Sequence, residues 1–365
     1  MERSRTWLLI SNHHDVSLLR NRIVYDMANY VGMAYTPECE FADLYMNGKY
    51  MGSYLLTEKI QVGDGRVEID DLKKATEQLN DEPLSSYKMH GREISNGGGK
   101  YYDIPNDPDD ITGGYLFCLE YSQRYSEMKS AVVTDRGLVF EVRSPSRLSK
   151  AQYKYLSSKV QSLENALFAH DGVDPETGKR WDELCDKDSM VLKFILEELS
   201  CNYDANYASQ YFYKPADDVS DKIFAGPVWD YDNTFALGRQ RTSDHEYPTG
   251  KEFYAAKQKG NYWWPACYKH TSFQKAVKET WKEKVRPALE VLLGKRTDPT
   301  GKLQSVQSYI RTLTASAAMN MVRWPMSDTE GKGPYHGDTW LANCTWLEKY
   351  IGIRYEWLDE QWGED

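Results

Sequence analysis

Residues 196–234 read LEELSCNYDANYASQYFYKPADDVSDKIFAGPVWDYDNT, and the fold turns on this stretch. A helix runs into polar residues around Asp204. Residues 211–214 form a short strand, ADDVSD (216–221) a charged turn, and 222–229 a second strand ending at Asp230-Tyr231-Asp232-Asn233. Loops at such ends present carboxylates to a ligand at little cost to the fold. Two or more carboxylates with amides on adjacent loops suit a Mg²⁺–phosphate complex, because Mg²⁺ takes hard oxygen donors. On the plainer reading, Asp204 caps a helix and Asp230 and Asp232 make a turn.

Upstream, residues 5–11 (RTWLLIS) are an apolar strand and NHHDVS (12–17) a turn. Leu19, Ile23, Met27 and Val31 then recur every four residues, the spacing of one helix face. Asp15 or Ser17 suits the start of that helix and Gly32 its end. Arg20 and Arg22 fall on its other faces. A hairpin follows: 41–46, the turn pair Asn47-Gly48, and 49–56. Thr57-Glu58-Lys59 leaves its second strand.

Residues 63–112 are rich in Gly, Asp, Asn, Lys and Pro and read as a surface excursion. Gly97 to Gly99 lack a following GK[ST] and make a turn rather than a phosphate loop. Strands at 113–121 and 137–142, a helix over 149–168, and a helix capped by Asp188 or Ser189 lead to the opening stretch. Beyond about 245 the chain reads helical, with breaks at Pro248, Pro265, 294–299 and near 325–334. Taken together, helix, hairpin, exit at Glu58, helix, Asp loop, hairpin and Asp at a strand end follow the order of a protein kinase. There the first Asp orients the hydroxyl and the second holds the metal.

Composition narrows the function classes. The chain has 365 residues, 41% hydrophobic and 27% charged, an ordinary globular balance. Lys and Arg number 45 against 55 Asp and Glu, a net charge of −10 with no basic excess for nucleic acid. No run approaches the roughly 18 apolar residues of a membrane span. The first five residues carry no secretory apolar core. Six cysteines without a CxxC pair exclude a zinc knuckle, and Cys118, Cys201, Cys267 and Cys344 read as buried small hydrophobes. The 27 Tyr and 11 Trp suit a surface with clefts for polar ligands, although the Trp263-Trp264 pair, Trp324 and Trp340 read first as core. His13 and His14 read as turn residues, and Asn343-Cys344-Thr345 matches a glycosylation sequon.

Five ordered segments carry a resemblance: WLLISNHHDVSLLRN (7–21), LYMNGKYMGSYLLTEKI (44–60), GGYLFCLEY (113–121), NYDANYASQYFYK (202–214) and GPVWDYDNTFALG (226–238). Together they resemble the CotH family, the spore-coat CotH-like atypical kinases. The resemblance implies a divergent kinase-like fold that uses ATP and a divalent metal (Mg²⁺, or Mn²⁺ or Ca²⁺) to phosphorylate Ser of a protein substrate. It implies Asp204 as the catalytic aspartate of an N-x-D motif. It implies Asp230 as the metal-holding aspartate of a W-D-x-D motif, with Asp232 and Asn233 beside it. Arg20 with Asn21 matches the family's Arg-Asn pair and Glu58 its hinge-like Glu, and Arg20, Glu58 and Arg143 are expected to bind the cofactor. Members commonly read Lys-Tyr-Pro where this chain has Arg143-Ser144-Pro145, so a planar fork replaces a point charge. They usually carry strands ahead of the WLL segment.

The expectation is an α+β, two-lobed kinase-like protein. Residues 1–62 form a partial N-lobe, 63–112 an insertion and 113–365 a mostly helical C-lobe with the catalytic and metal loops. Partners are a Ser-containing protein and no nucleic acid. The placement implied is extracellular, at the cell surface or in a spore coat, while the residues themselves leave the compartment open, cytoplasm included. Two other readings stand beside it. A surface module could bind nucleotide or glycan without turnover. A haloacid-dehalogenase phosphatase would use Asp230 and Asp232, since DYDNT fits D-x-D-x-T.

Overall fold

The computed structural model describes residues 6–237, 248–325 and 337–364; Gly238, which closes the fifth segment above, and Pro334 lie outside them. Strand β1 (Trp7–Ile10) leads to helix α1 (Arg20–Tyr30), and the hairpin of β2 (Cys39–Met46) and β3 (Lys49–Glu58) follows. Asn47 and Gly48 both take positive φ, as a type I′ turn requires. β3 lies between β1 and β2 and is antiparallel to both. Helix α1 buries Ile23, Val24 and Met27, and Gly32 turns left-handed beyond it. Its N-cap is Leu19, which bears no capping oxygen. Asp15 does that work from the preceding turn, accepting from the Arg20 amide at 2.8 Å.

The segment read as an excursion holds α2 (Leu72–Gln78), β4 (Met89–His90) and β5 (Gly99–Tyr102). β5 pairs with a later strand and, with β4 outside it, extends the large sheet. Strands this short carry little periodicity, which is why composition dominated their reading.

That sheet also contains β6 (Tyr115–Glu120), β7 (Ala131–Val133), β8 (Val139–Ser144), β9 (Gln210–Lys214) and β10 (Phe224–Ala225). Its order is β10-β9-β6-β8-β7-β5-β4. Every ladder among the described strands is antiparallel. The parallel βα repeat that a haloacid-dehalogenase phosphatase requires is therefore absent from them. β10 is also shorter than its sequence suggests. Gly226 N makes a last 2.8 Å bond to Tyr211 O, and Pro227 has no N–H with which to continue. Asp230 thus sits in irregular chain beyond the strand, not at its end.

Helix α3 (Lys150–Phe168) starts with a capping box of Ser149 and Gln152. After α4 (Trp181–Leu184) comes α5 (Lys187–Ser200), whose cap is Asp186 rather than Asp188 or Ser189. Residues Met190 to Ser200 of α5 are all buried, so this is a central helix, not a surface one. The chain ends in α6 (Trp263–Cys267), α7 (Thr271–Thr280), α8 (Arg286–Leu292), α9 (Val306–Arg323) and α10 (Trp340–Trp362). Pro265 falls in the first turn of α6, where a missing N–H costs nothing, so it does not break the helix. Trp263 and Trp264 are core, whereas Trp324 is 44% exposed. All six cysteines are free and buried. Asn343 is buried, its amide donating to Gly337 O and Thr339 O, which puts the sequon out of reach. Among the described residues no helix is long and apolar enough to cross a membrane.

Candidate active site

Helix α5 ends on Cys201 in the left-handed conformation, φ +46°, and this turns the chain toward Asp204. Asn202 holds the turn from both sides. Its Nδ2 donates to Glu197 Oε2 at 2.7 Å, and its Oδ1 accepts from Asp204 N at 3.0 Å. Asp204 Oδ1 accepts from the Tyr121 phenol, which stands just past β6. The Tyr121 ring lies parallel to Tyr207, centroids 6.3 Å apart. Burial pushes the Asp204 carboxyl up to about 6; the Tyr121 hydrogen bond opposes this and the charge of Asp230 adds to it. Such a carboxylate changes protonation state near pH 6, well above the usual carboxylate range.

The second loop packs on α1. Asn21 Oδ1 accepts from Tyr231 N at 2.7 Å, Tyr25 Oη from Asp230 N at 3.3 Å, and Arg20 Nε donates to Thr234 O at 2.9 Å. Tyr25 also stacks on Trp229. The two loops are tied to each other. Tyr203 N donates to Asn233 O at 3.3 Å, and Phe235 N to Ser200 O at 2.6 Å. Asp230 takes φ +64°, and its Oδ2 accepts from Ser209 Oγ at 2.9 Å.

Beneath both loops lies a buried polar network. Lys193 and Glu197 pair at 2.7 Å with both side chains fully buried. Tyr231 donates to Glu197 Oε1 and receives a 3.1 Å bond from Lys193 Nζ. Glu197 therefore anchors Asn202 of one loop and Tyr231 of the other. Removing one partner of such a pair leaves a buried charge uncompensated. Lys193→Met is expected to destabilise the protein by roughly 3–5 kcal/mol, and Lys193→Met with Glu197→Gln by clearly less. Urea unfolding of the two variants checks this.

The other residues singled out from sequence fall in different surroundings. Arg20 is buried, and besides Thr234 it engages Asp15 at 2.5 Å and Ser17 at 3.1 Å, so it braces the second loop. Arg143 is partly exposed on β8 and reaches Glu141 at 3.1 Å and Glu120 at 3.5 Å. Glu58, the last residue of β3, is buried; it pairs with Arg66 at 2.7 Å and accepts from Glu38 N at 3.1 Å. Asp232 and Asn233 are half-buried in the turn after Asp230. Among the described residues no group of three or more His, Cys, Asp or Glu could hold a metal ion. The donor set fits instead an ion held by one or two carboxylates and completed by phosphate oxygens.

Sequence reasoning missed Tyr121, Ser209, Tyr25 and the Lys193–Glu197 pair. Tyr121 had a weak signal, a polar–aromatic end to an otherwise apolar strand, Glu120-Tyr121. The pair was masked because charges opposite an apolar helix face read as solvent-facing. Comparison with curated proteins gives no match. A family model, CotH kinase protein, matches residues 1–358, nearly the whole chain. The chain therefore belongs to the CotH kinase family.

Proposed function

We propose that this protein transfers the γ-phosphoryl group of ATP to Ser of a protein substrate, with Asp204 orienting the hydroxyl and Asp230 holding the metal. One observation carries the reading: Asp204 and Asp230 stand on two loops cross-tied by the Tyr203–Asn233 hydrogen bond. Family membership supports a kinase-like function. On this reading residues 1–62 act as a partial N-lobe, 63–112 as an insertion and 113–365 as a C-lobe. ATP lies between the Glu58 exit and the two loops. A divalent ion (Mg²⁺, or Mn²⁺ or Ca²⁺) neutralises phosphate charge when bound, and Asp230, Asp232 and Asn233 would hold it. On this reading the Arg143 guanidinium engages phosphate oxygens. Arg20 acts through the second loop it braces.

Asp204 Oδ2 has no protein partner among the described residues, which supports its acceptance of a hydrogen bond from the incoming hydroxyl. The Ser oxygen bonds to the γ-phosphorus as the bond to the β–γ bridging oxygen breaks. ADP leaves, and the hydroxyl proton passes to Asp204. The transition state is loose, so orientation matters more than early proton removal. Substrates at a cell surface or in a spore coat accord with the family.

The pH dependence tests the assignment. Asp204 must be ionised, and its pKa in the folded protein is raised to about 6. The profile of kcat/KM is expected to rise through about pH 6 to a plateau, since it reports the free enzyme. Stability runs the other way: the contribution of protonated Asp204 is complete below its unfolded pKa and is lost as pH rises through about 6. A transfer rate flat between pH 5 and 8 would remove Asp204 from the chemical step.

A further inference from the structure

We infer that Ser209 is a positioning residue of this site, whose hydroxyl fixes the Asp230 carboxylate for a divalent cation. The inference rests on the proposed phosphoryl-transfer reading. Ser209 closes the loop that carries Asp204 and stands immediately before β9. Its Oγ donates to Asp230 Oδ2 at 2.9 Å, a bond between side chains 21 positions apart. Among the described residues the other oxygen, Oδ1, has no hydrogen-bond partner. The hydroxyl thus engages one oxygen, restricts the carboxylate rotamer and leaves the second to a cation as a single hard donor.

The backbone makes the point sharper. Ser209 takes φ +57° and Asp230 φ +64°, both left-handed. That region costs free energy for a residue with a Cβ and suits Gly best. A turn serving the fold alone would be better made with Gly at 209. The strained Ser supplies what Gly cannot, a hydroxyl aimed at Asp230, and strain of this kind concentrates at functional sites. Asp230 is held from its backbone as well, through the 3.3 Å bond from its N–H to Tyr25 Oη.

The test separates fold from site. Wild type, Ser209→Gly, Ser209→Ala and Ser209→Asn are titrated with Mn²⁺ in the presence of ATP, reading free Mn²⁺ by electron paramagnetic resonance against a protein-free Mn²⁺–ATP blank, and their Tm values are measured. Ser209→Gly is expected to melt at or above wild type because the strain is relieved, yet to bind Mn²⁺ about tenfold more weakly, the low end for loss of an outer partner. Ser209→Ala shows the same weakening without the gain in Tm. Ser209→Asn tolerates the left-handed backbone and brings an amide donor, so its affinity stays within about threefold of wild type. Ser209→Gly binding Mn²⁺ as tightly as wild type would overturn the inference alone. Wild type leaving free Mn²⁺ at the level of the protein-free blank would overturn it together with the site reading.

Discussion

Asp204→Ala is expected to lower phosphoryl transfer by about 10²-fold or more while leaving Mg-ATP affinity nearly unchanged. On the proposed reading the carboxylate engages the incoming hydroxyl and not the nucleotide, so its removal acts on the chemical step. Its surroundings support an intact fold in the variant. Asn202 still bonds Glu197, and the loop is still tied through Tyr203 and Asn233. What is lost is the acceptor for Tyr121 and, on the proposed reading, for the substrate hydroxyl. The check is a pair of numbers, nucleotide Kd by calorimetry and transfer rate. If Asp204→Ala loses nucleotide affinity as badly as loss of the metal ligand does, Asp204 is itself a ligand and the base lies elsewhere.

Asp230→Asn is expected to differ in kind. It should weaken Mg-ATP binding by at least about 100-fold, above the roughly 10–100-fold that an outer-shell partner costs. The amide keeps the shape and one oxygen but not the charge that holds a divalent cation. The fold should survive, because Asn also tolerates the left-handed backbone at φ +64°. Equal affinity in Asp230→Asn and wild type would remove Asp230 from the metal site.

The legible parts of this chain were those set by local rules. The Asn47-Gly48 turn, the α1 face of Ile23 and Met27, and the Ser149 start of α3 follow from turn chemistry, periodicity and capping. The loops bearing Asp204 and Asp230 could be found because polar residues close an apolar helix and an apolar strand. The rest depends on tertiary context. β5 gains its place from a partner some thirty residues away. Lys193 and Glu197 are charges on a helix that is buried all round, and only the neighbouring Tyr231 and Asn202 explain them. Tyr121 meets Asp204 across 83 positions, a distance over which no spacing rule operates. Ser209 owes its role to a φ that nothing in its sequence neighbourhood announces.

The central claim is transfer of phosphate by this chain, and the most direct measurement is incubation with γ-labelled ATP and Mg²⁺ or Mn²⁺. The acceptors are a Ser-containing peptide mixture and the protein itself, with Asp204→Ala and Asp230→Ala in parallel and phosphoamino-acid analysis of the products. The account predicts label on Ser with the wild type and its near-complete loss in both variants. Wild-type protein that binds Mg-ATP yet transfers no label would contradict it, and would make this chain a nucleotide-binding module without turnover.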